Sequence, residues 1–355
     1  MPLPAVFNFS LAGAFRGWAR CVPSFVAAAL VGFCSFSFLQ ADDSVAEKLS
    51  SQVRKVFDER RGAVVKVRAV DALGIRFGTG FFSDPAGTIY THAGIVLKAQ
   101  DVVVLFGGKE LPARVLVADE RSGIAILKVD ASTPFIPVGD SKKVGVATPV
   151  MMIGYPEDLE ASPGFGIVAG LDRKCLGQYF STTHFRASLP VQRGQGGAPI
   201  LNMMGESIGI LVGRIDDGAA CHILPMHAAE KVRLDLVRFG ELRPGWVGVE
   251  VEDAGKAVAG STARVNALDP ATPAAQSGLQ PGDILLSVGG TRIGTSEDVL
   301  DASYFLTAGD NADIEVMRGA EKLTISVRPA LHPQAPGHQM QAIAVPDAIQ
   351  RIKRE

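Results

Sequence analysis

Charge of one sign, clustered histidine and paired cysteine are all scarce in this chain. The formal net charge is −2 over 355 residues, with no run of five or more like charges. A nucleic-acid binder needs a clustered basic face, so that class is excluded. Two of the four cysteines, Cys21 and Cys34, lie in the first 41 residues. They follow Arg20 and Phe33, not a small residue, which argues against a lipid-anchored cysteine. Cys175 and Cys221 are too widely separated to form a ligand pattern. His184, His222 and His227 lack zinc-site spacing, so neither a metal nor a cofactor is expected. The two remaining cysteines fit either a disulfide in an oxidising compartment or a pair of buried thiols. There is no internal repeat and no long low-complexity tract.

Apolar residues are plentiful. They make up 47% of the chain against 20% charged, a globular balance at a length that suits two or three domains. The N-terminal segment stands apart. Arg16 and Arg20 precede an apolar or small run of 18 residues, Val22–Leu39, and no acidic residue occurs before Asp42. A basic flank, an apolar run and a small residue before a polar start describe an export signal over residues 1–41. The run is close to the roughly 20 residues that span a bilayer, so an uncleaved anchor is the alternative. Either way the arginines stay inside and the body is exported, periplasmic or secreted. Contact with a membrane would be through this segment alone.

Residues 42–61 carry Val45, Leu49, Val53, Val56 and Phe57 at helical spacing with a charged opposite face. After Gly62 the texture changes to short β-rich runs punctuated by Gly, Asp or Pro. Two successive sets of such strands fit two small barrels, not a parallel α/β sheet. A helical stretch follows from His227. A break at Arg243-Pro244-Gly245 then opens a compact unit over 245–330, and a tail over 331–355 has room for one short helix.

The unit after Gly245 resembles the PDZ domains of HtrA/Deg proteases, through ATPAAQSGLQPGDILLSVGGTRI and a helix starting near Ser296. Gly278 and Gly282 suit turns with positive φ, and Pro281 presets φ before a buried strand. PDZ domains bind by strand addition, with the peptide's terminal carboxylate on backbone amides. The resemblance puts that loop at Trp246-Val247-Gly248-Val249, the amides of Val247, Gly248 and Val249 being the carboxylate holders. Leu300 and Ser303 on the helix would line the groove.

Residues 62–240 resemble the protease domain of the same family. Gly78-Thr79-Gly80 leads to Thr91-His92-Ala93-Gly94-Ile95, where the family's general base falls on Gly94. In Asp119-Glu120-Arg121-Ser122-Gly123 the orienting aspartate falls on Gly123. In Arg193-Gly194-Gln195-Gly196-Gly197-Ala198 the nucleophile falls on Gly196. The former oxyanion loop would be Gly194, Gln195, Gly196 and Gly197. The implied fold is mainly β: two six-stranded trypsin-like β-barrels plus a C-terminal α/β PDZ domain.

A triad needs a nucleophile, a base and a group that orients the base, and glycine supplies none. No Ser, Thr or Cys occurs between Pro190 and Glu206. Ser188 and Ser207 are expected on flanking strands. His92 could face the vacant base position, and Asp119 or Ser122 the vacant aspartate position, but with nothing to activate. Losing the serine or histidine costs about 10⁶ in kcat. The expectation is an inactive family member, a PDZ-bearing pseudoprotease in protein quality control, binding peptide or unfolded-protein C-termini. The alternatives are a regulatory partner of active HtrA-like proteases and a serine endopeptidase. The helix after Ser44 would cap the first barrel or join subunits; the cap is favoured.

Overall fold

The structure is a computed structural model that describes residues 40–157 and 159–331. The export segment, apart from its last two positions, and the tail beyond Leu331 lie outside the described residues. Among the described residues no helix is long and apolar enough to cross a membrane. Helix α1 covers Gln40–Arg60, starting two residues before the expected 42. Its Val53, Val56 and Phe57 pack against the core shared by both barrels, and Gln52 Nε2 donates to the Met203 carbonyl at 2.7 Å.

The first sheet comprises β1 (Val64–Asp71), β2 (Gly74–Phe82), β3 (Thr88–His92), β4 (Asp101–Phe106), β5 (Lys109–Pro112), β6 (Arg114–Asp119) and β7 (Ile124–Lys128). The short helix α2 (Ala93–Val96) follows β3. Spatial order is β5-β4-β1-β2-β3-β7-β6, seven strands where six were expected. The extra strand arises at Gly107-Gly108, whose φ values of +57° and +73° make the two-residue hairpin that returns β5 onto β4. Alternation along β1 buries Val65, Val67 and Ala69 in the sheet's own core and turns Lys66 and Arg68 to the other face.

The second sheet is a closed six-stranded barrel. It consists of β8 (Pro149–Gly154), β9 (Ser162–Cys175), β10 (Gln178–Ser188), β11 (Pro199–Leu201), β12 (Ser207–Ile215) and β13 (Ala220–Pro225). Helix α3 (Met226–Phe239) leaves it and stops at Gly240, whose φ of +77° closes the helix. The third body holds β14 (Gly245–Trp246), β15 (Val249–Val258), β16 (Ser261–Leu268), α4 (Pro273–Gln276), β17 (Ile284–Val288), β18 (Thr291–Arg292), α5 (Ser296–Tyr304), β19 (Ala312–Arg318), β20 (Glu321–Val327) and β21 (Ala330–Leu331). Its main sheet runs β15-β16-β17-β19-β20, with β15 at an edge, and it has its own apolar core.

The third body is docked on the barrels. Tyr304, 3% exposed, enters the core shared by the barrels, together with Leu242 from the connecting segment. Its hydroxyl donates to the Ala228 carbonyl at 3.2 Å. Asp301 accepts from Thr182 Oγ1 at 2.7 Å and from the Thr183 amide at 2.6 Å. Arg173 pairs with Asp298 at 2.6 Å, and Arg238 binds Asp310 through both nitrogens at 2.7 and 3.0 Å. The segment read as a break is thus tied down on both sides, for Arg243 donates its amide to Asp235 and Gly245 donates to Leu306.

A disulfide between Cys175 and Cys221 is ruled out. Both are free thiols, Cys221 buried and Cys175 at the β9–β10 turn. Cys175 stands opposite Gln178 and Cys221 opposite Ala187, nine residues further along β10. At about 3.3 Å per residue that is roughly 30 Å, far beyond disulfide reach. Burial pushes the Cys221 thiol up to about 12.

Beside the docking contact, Phe180 stacks on His184 (4.3 Å between centroids) and meets His222 edge-on at 4.8 Å. His184 is 4% exposed, and burial drives its pKa from 6.5 down to about 4, opposed by the Thr182 carbonyl and reinforced by His222. An unfolded chain takes up this proton near 6.5, the folded one only near 4. Protons in that interval therefore favour unfolding. Burial lowers His92 and His227 as well, with the same sign. Stability is expected to be intact above pH 6.5 and to fall as pH drops toward 4, by about 3 kcal/mol from His184 alone. Urea midpoints between pH 7 and 4.5 read this loss, and His184→Phe should remove most of it.

Thr79, fully buried, ties the first sheet to the loop around Gly194. Its hydroxyl donates to the Gly194 carbonyl and accepts from the Tyr155 amide, both at 2.9 Å. Thr79→Val strands both groups and should cost about 2–4 kcal/mol, read as a lower urea midpoint.

Candidate functional site

The cleft of interest lies between the two barrels, with a volume of about 700 Å³. β3 enters it at His92 and α2 begins one residue later, so Gly94 sits in the first turn of that helix. Gly123 ends the Asp119–Gly123 turn, where its φ of +77° suits a residue without Cβ. Gly196 lies on the loop between β10 and β11. That loop is pressed onto the first sheet. A Cβ at Gly197 would stand 2.3 Å from the Thr79 carbonyl and 2.5 Å from the His92 amide, and one at Gly194 only 2.4 Å from the Glu157 amide. Glycine alone permits these approaches.

The glycines at 94, 123 and 196 share one neighbour, the His92 side chain. Cβ atoms built on them would lie 2.8 Å from its Cε1, 3.9 Å from its Nε2 and 3.8 Å from its Cβ, respectively. The imidazole occupies the space that a side chain at 94 would enter and stands at ordinary contact distance from Cβ atoms at 123 and 196. Burial lowers its pKa, opposed by a hydrogen bond to the Val212 backbone, so near neutrality the ring is uncharged. Among the described residues lining the cleft there is no serine, threonine or cysteine.

The remaining residues singled out in the sequence fall as follows. Ser188 is the last residue of β10 and Ser207 the first of β12; Ser207 is buried and donates to the Gly209 carbonyl at 3.3 Å. Asp119 and Ser122 do not turn to the cleft. Ser122 Oγ donates to Asp119 at 2.8 Å, and Arg121, which also pairs with Asp119, lies over the Tyr304 ring at 4.9 Å. Gln195, 3% exposed, folds its side chain back to accept from the Gln192 amide at 2.8 Å. The amides of Gly194 and Gly196 donate to no acceptor among the described residues.

Sequence reasoning missed the basic wall of this cleft. Arg76, Arg193 and Arg214 line it, with Glu157 as the acidic residue among the described ones. Arg193 was visible in its motif; Arg76 and Arg214 come from strands whose facing only the fold reveals.

The second candidate site is in the third body. Trp246 is on β14, the loop Val247-Gly248 follows, and Val249 opens β15. Val247 is buried in the core and its carbonyl accepts from the Ala274 amide at 3.0 Å. Gly248 has φ +72°, and a Cβ there would stand 2.4 Å from Thr272 Cγ2 and 2.9 Å from the Trp246 ring. The amides of Val247 and Gly248 donate to no acceptor among the described residues. β15 bonds to β16 on one side and has no strand on the other. Beside that free edge lies α5, tied to β15 where Ser296 donates to Asp253 at 2.7 Å. Leu300 is 40% exposed on α5, and Ser303 donates to the Leu300 carbonyl at 2.8 Å.

Comparison with known proteins agrees with both halves. The trypsin-like peptidase domain family matches residues 78–210 and the PDZ domain family residues 245–328. A protein named as a DegP-like periplasmic serine endoprotease in Halomonas elongata is 30% identical over 264 residues, 70% of this chain and 55% of that protein. One named as the serine protease HhoB in Synechocystis is 30% identical over 278 residues, covering 72% of this chain and 67% of the relative. The chain thus spans only about half the length of the DegP-like relatives it matches. Among solved structures, the HtrA-type protease AlgW with tripeptide superposes with a TM-score of 0.68 at 20% identity, over 79% of this chain and 97% of that one. Two domains in this order, on relatives of this identity and coverage, make the chain a member of the HtrA/DegP-like family of trypsin-like peptidases with a PDZ domain.

Proposed function

We propose that this protein is a catalytically inactive member of its family that binds peptide or unfolded-protein C-termini in the cell envelope through its PDZ groove. The observation that carries the inactive half is the composition of the cleft. Its described lining offers no hydroxyl or thiol, and His92 is the one neighbour common to the glycines at 94, 123 and 196. A base without a nucleophile transfers no acyl group. The binding half is supported by the free edge of β15 beside Leu300, with the Val247 and Gly248 amides at its start. The AlgW structures, solved with a tripeptide and with a decapeptide, and the periplasmic names of the relatives support the ligand class and the location.

A second reading, serine endopeptidase, is favoured by the names of the relatives themselves. Turnover of unfolded casein separates the two. The purified protein should leave casein intact, and a fluorophosphonate probe should label no residue. Cleavage that persists through purification and is lost in His92→Ala would establish the endopeptidase. A third reading, a regulatory partner of active HtrA-type proteases, requires such a protease to co-purify from crosslinked envelope extract.

The groove is tested by mapping. A peptide with a free C-terminus and a photoreactive residue just before it should crosslink to Val249–Asp253 or Ser296–Tyr304 in the full chain. Labelling that spares both segments would overturn the groove assignment.

A further inference from the structure

A second concavity lies on the PDZ body, across its sheet from the free edge of β15. It is a trough of about 960 Å³ between the β17–β18 hairpin, the loop over 305–313 and the outer face of β19 and β20. Leu286, Phe305 and Met317, all half-buried, give it apolar surface. Three carboxylates line it, Asp310, Asp313 and Glu315, against two cations, Arg292 and Lys322. Asp310 holds Arg238 and Glu315 holds Lys322. The exposed Asp313 has no ion-pair partner among the described residues.

The last described residues run along the rim of this trough. The Gly309 amide donates to the Pro329 carbonyl at 2.8 Å, and Arg328 Nε donates to the Gly309 carbonyl at 2.9 Å. The final strand therefore crosses the base of the loop that forms one wall. Leu331 stands opposite Gly245 on β14, and Gly245 donates in turn to Leu306 of that wall. Two strand spacings, roughly 10 Å, separate Leu331 from the trough.

Residues 332–355 follow, beyond position 328, where the match to the PDZ family stops. Among them Val345, Ala348, Ile349 and Ile352 fall at i, i+3, i+4 and i+7, an apolar stripe at helical spacing. Pro346 and Asp347 suit a helix start, and Lys353 and Arg354 a helix end. Residues 346–354 carry three cations, Arg351, Lys353 and Arg354, against one carboxylate, Asp347. The 15 residues from His332 to Pro346 reach roughly 50 Å when extended, so length does not limit docking.

We propose that the trough is the docking site of this chain's own residues 345–354: Val345, Ile349 and Ile352 lie on Leu286, Phe305 and Met317, and the basic end faces Asp313. An amphipathic segment laid in an apolar groove is a recurrent mode of recognition. The position of Leu331, the apolar stripe and the excess of positive charge favour this occupant. Docked there, the segment leaves the free edge of β15 open to a ligand. It also braces the loop from which Asp310 binds Arg238 of α3. The inference does not depend on whether the cleft between the barrels is catalytic.

The test uses the full chain with a photoreactive benzophenone amino acid in place of Ile349. Irradiation and peptide mapping should place the crosslink on 286–293, 305–313 or 315–324. Met317→Arg, on the outer face of β19, should lower the yield about tenfold, the loss expected when one buried apolar contact is removed. Asp313→Lys, at an exposed position, should lower it as well. An unchanged urea midpoint shows that each variant is folded. In an equal mixture of unlabelled and ¹⁵N-labelled chains, the crosslinks should join residues of one chain. A crosslink to 249–253 or 296–304 would put the segment in the peptide groove, and one between light and heavy chains would make the partner a second copy. Labelling confined to the barrels, no labelling, or a yield indifferent to both variants would leave the trough without this occupant. Each of these results overturns the proposal.

Discussion

Thr79 is where the parts of this molecule are fastened together. Its amide donates to the Gly196 carbonyl, its hydroxyl to the Gly194 carbonyl, and its own carbonyl accepts from Thr91. The same hydroxyl accepts from Tyr155 at the end of the first strand of the second barrel. One residue thereby joins β2, β3, the Gly194–Gly197 loop and the second barrel. The loop can reach it because Gly194 and Gly197 lack a Cβ. The shape of the cleft depends on this clamp, since it holds the Gly194–Gly197 loop against the first sheet.

The three other glycines act differently. Gly94, Gly123 and Gly196 all face the His92 ring, which stands within 4 Å of each Cβ position and blocks the one at 94. The Val212 backbone beside the ring opposes the lowering of its pKa by burial. A side chain at 94 would displace it, being 2.8 Å from its Cε1, and one at 123 would be strained at φ +77°. Placing a side chain at 94 would therefore require more than exchanging one glycine. The imidazole would have to move first.

Much of the architecture was legible in local pattern. The alternation of Val65, Val67 and Ala69, the turn glycines and the strand-helix order of the last third all follow from side-chain period and φ preference, which sequence displays directly. The motifs around Gly94, Gly123 and Gly196 carried the site for the same reason, since each lies on a short contiguous stretch. What escaped were facts of long-range contact. Tyr304 reads as one more residue on a helix face, yet it lies in the barrel core. Cys175 and Cys221 fit a disulfide or two buried thiols equally well in sequence, and only strand register shows them opposite different ends of β10. Arg76 and Arg214 each look like a surface charge until the fold turns both to one cleft. The seventh strand of the first sheet was announced by Gly107-Gly108, a signal passed over.

The insertion of Tyr304 and Leu242 into the barrel core changes what kind of appendage the PDZ body is. A domain on a loose tether can be clipped off, exchanged or melted by itself. Here, removing it would open the barrels' own interior to water, and opening the barrels would strip the helix of its footing. The two bodies therefore share buried surface, and a change that unseats Tyr304 is felt in the barrels as well as in the helix that carries it.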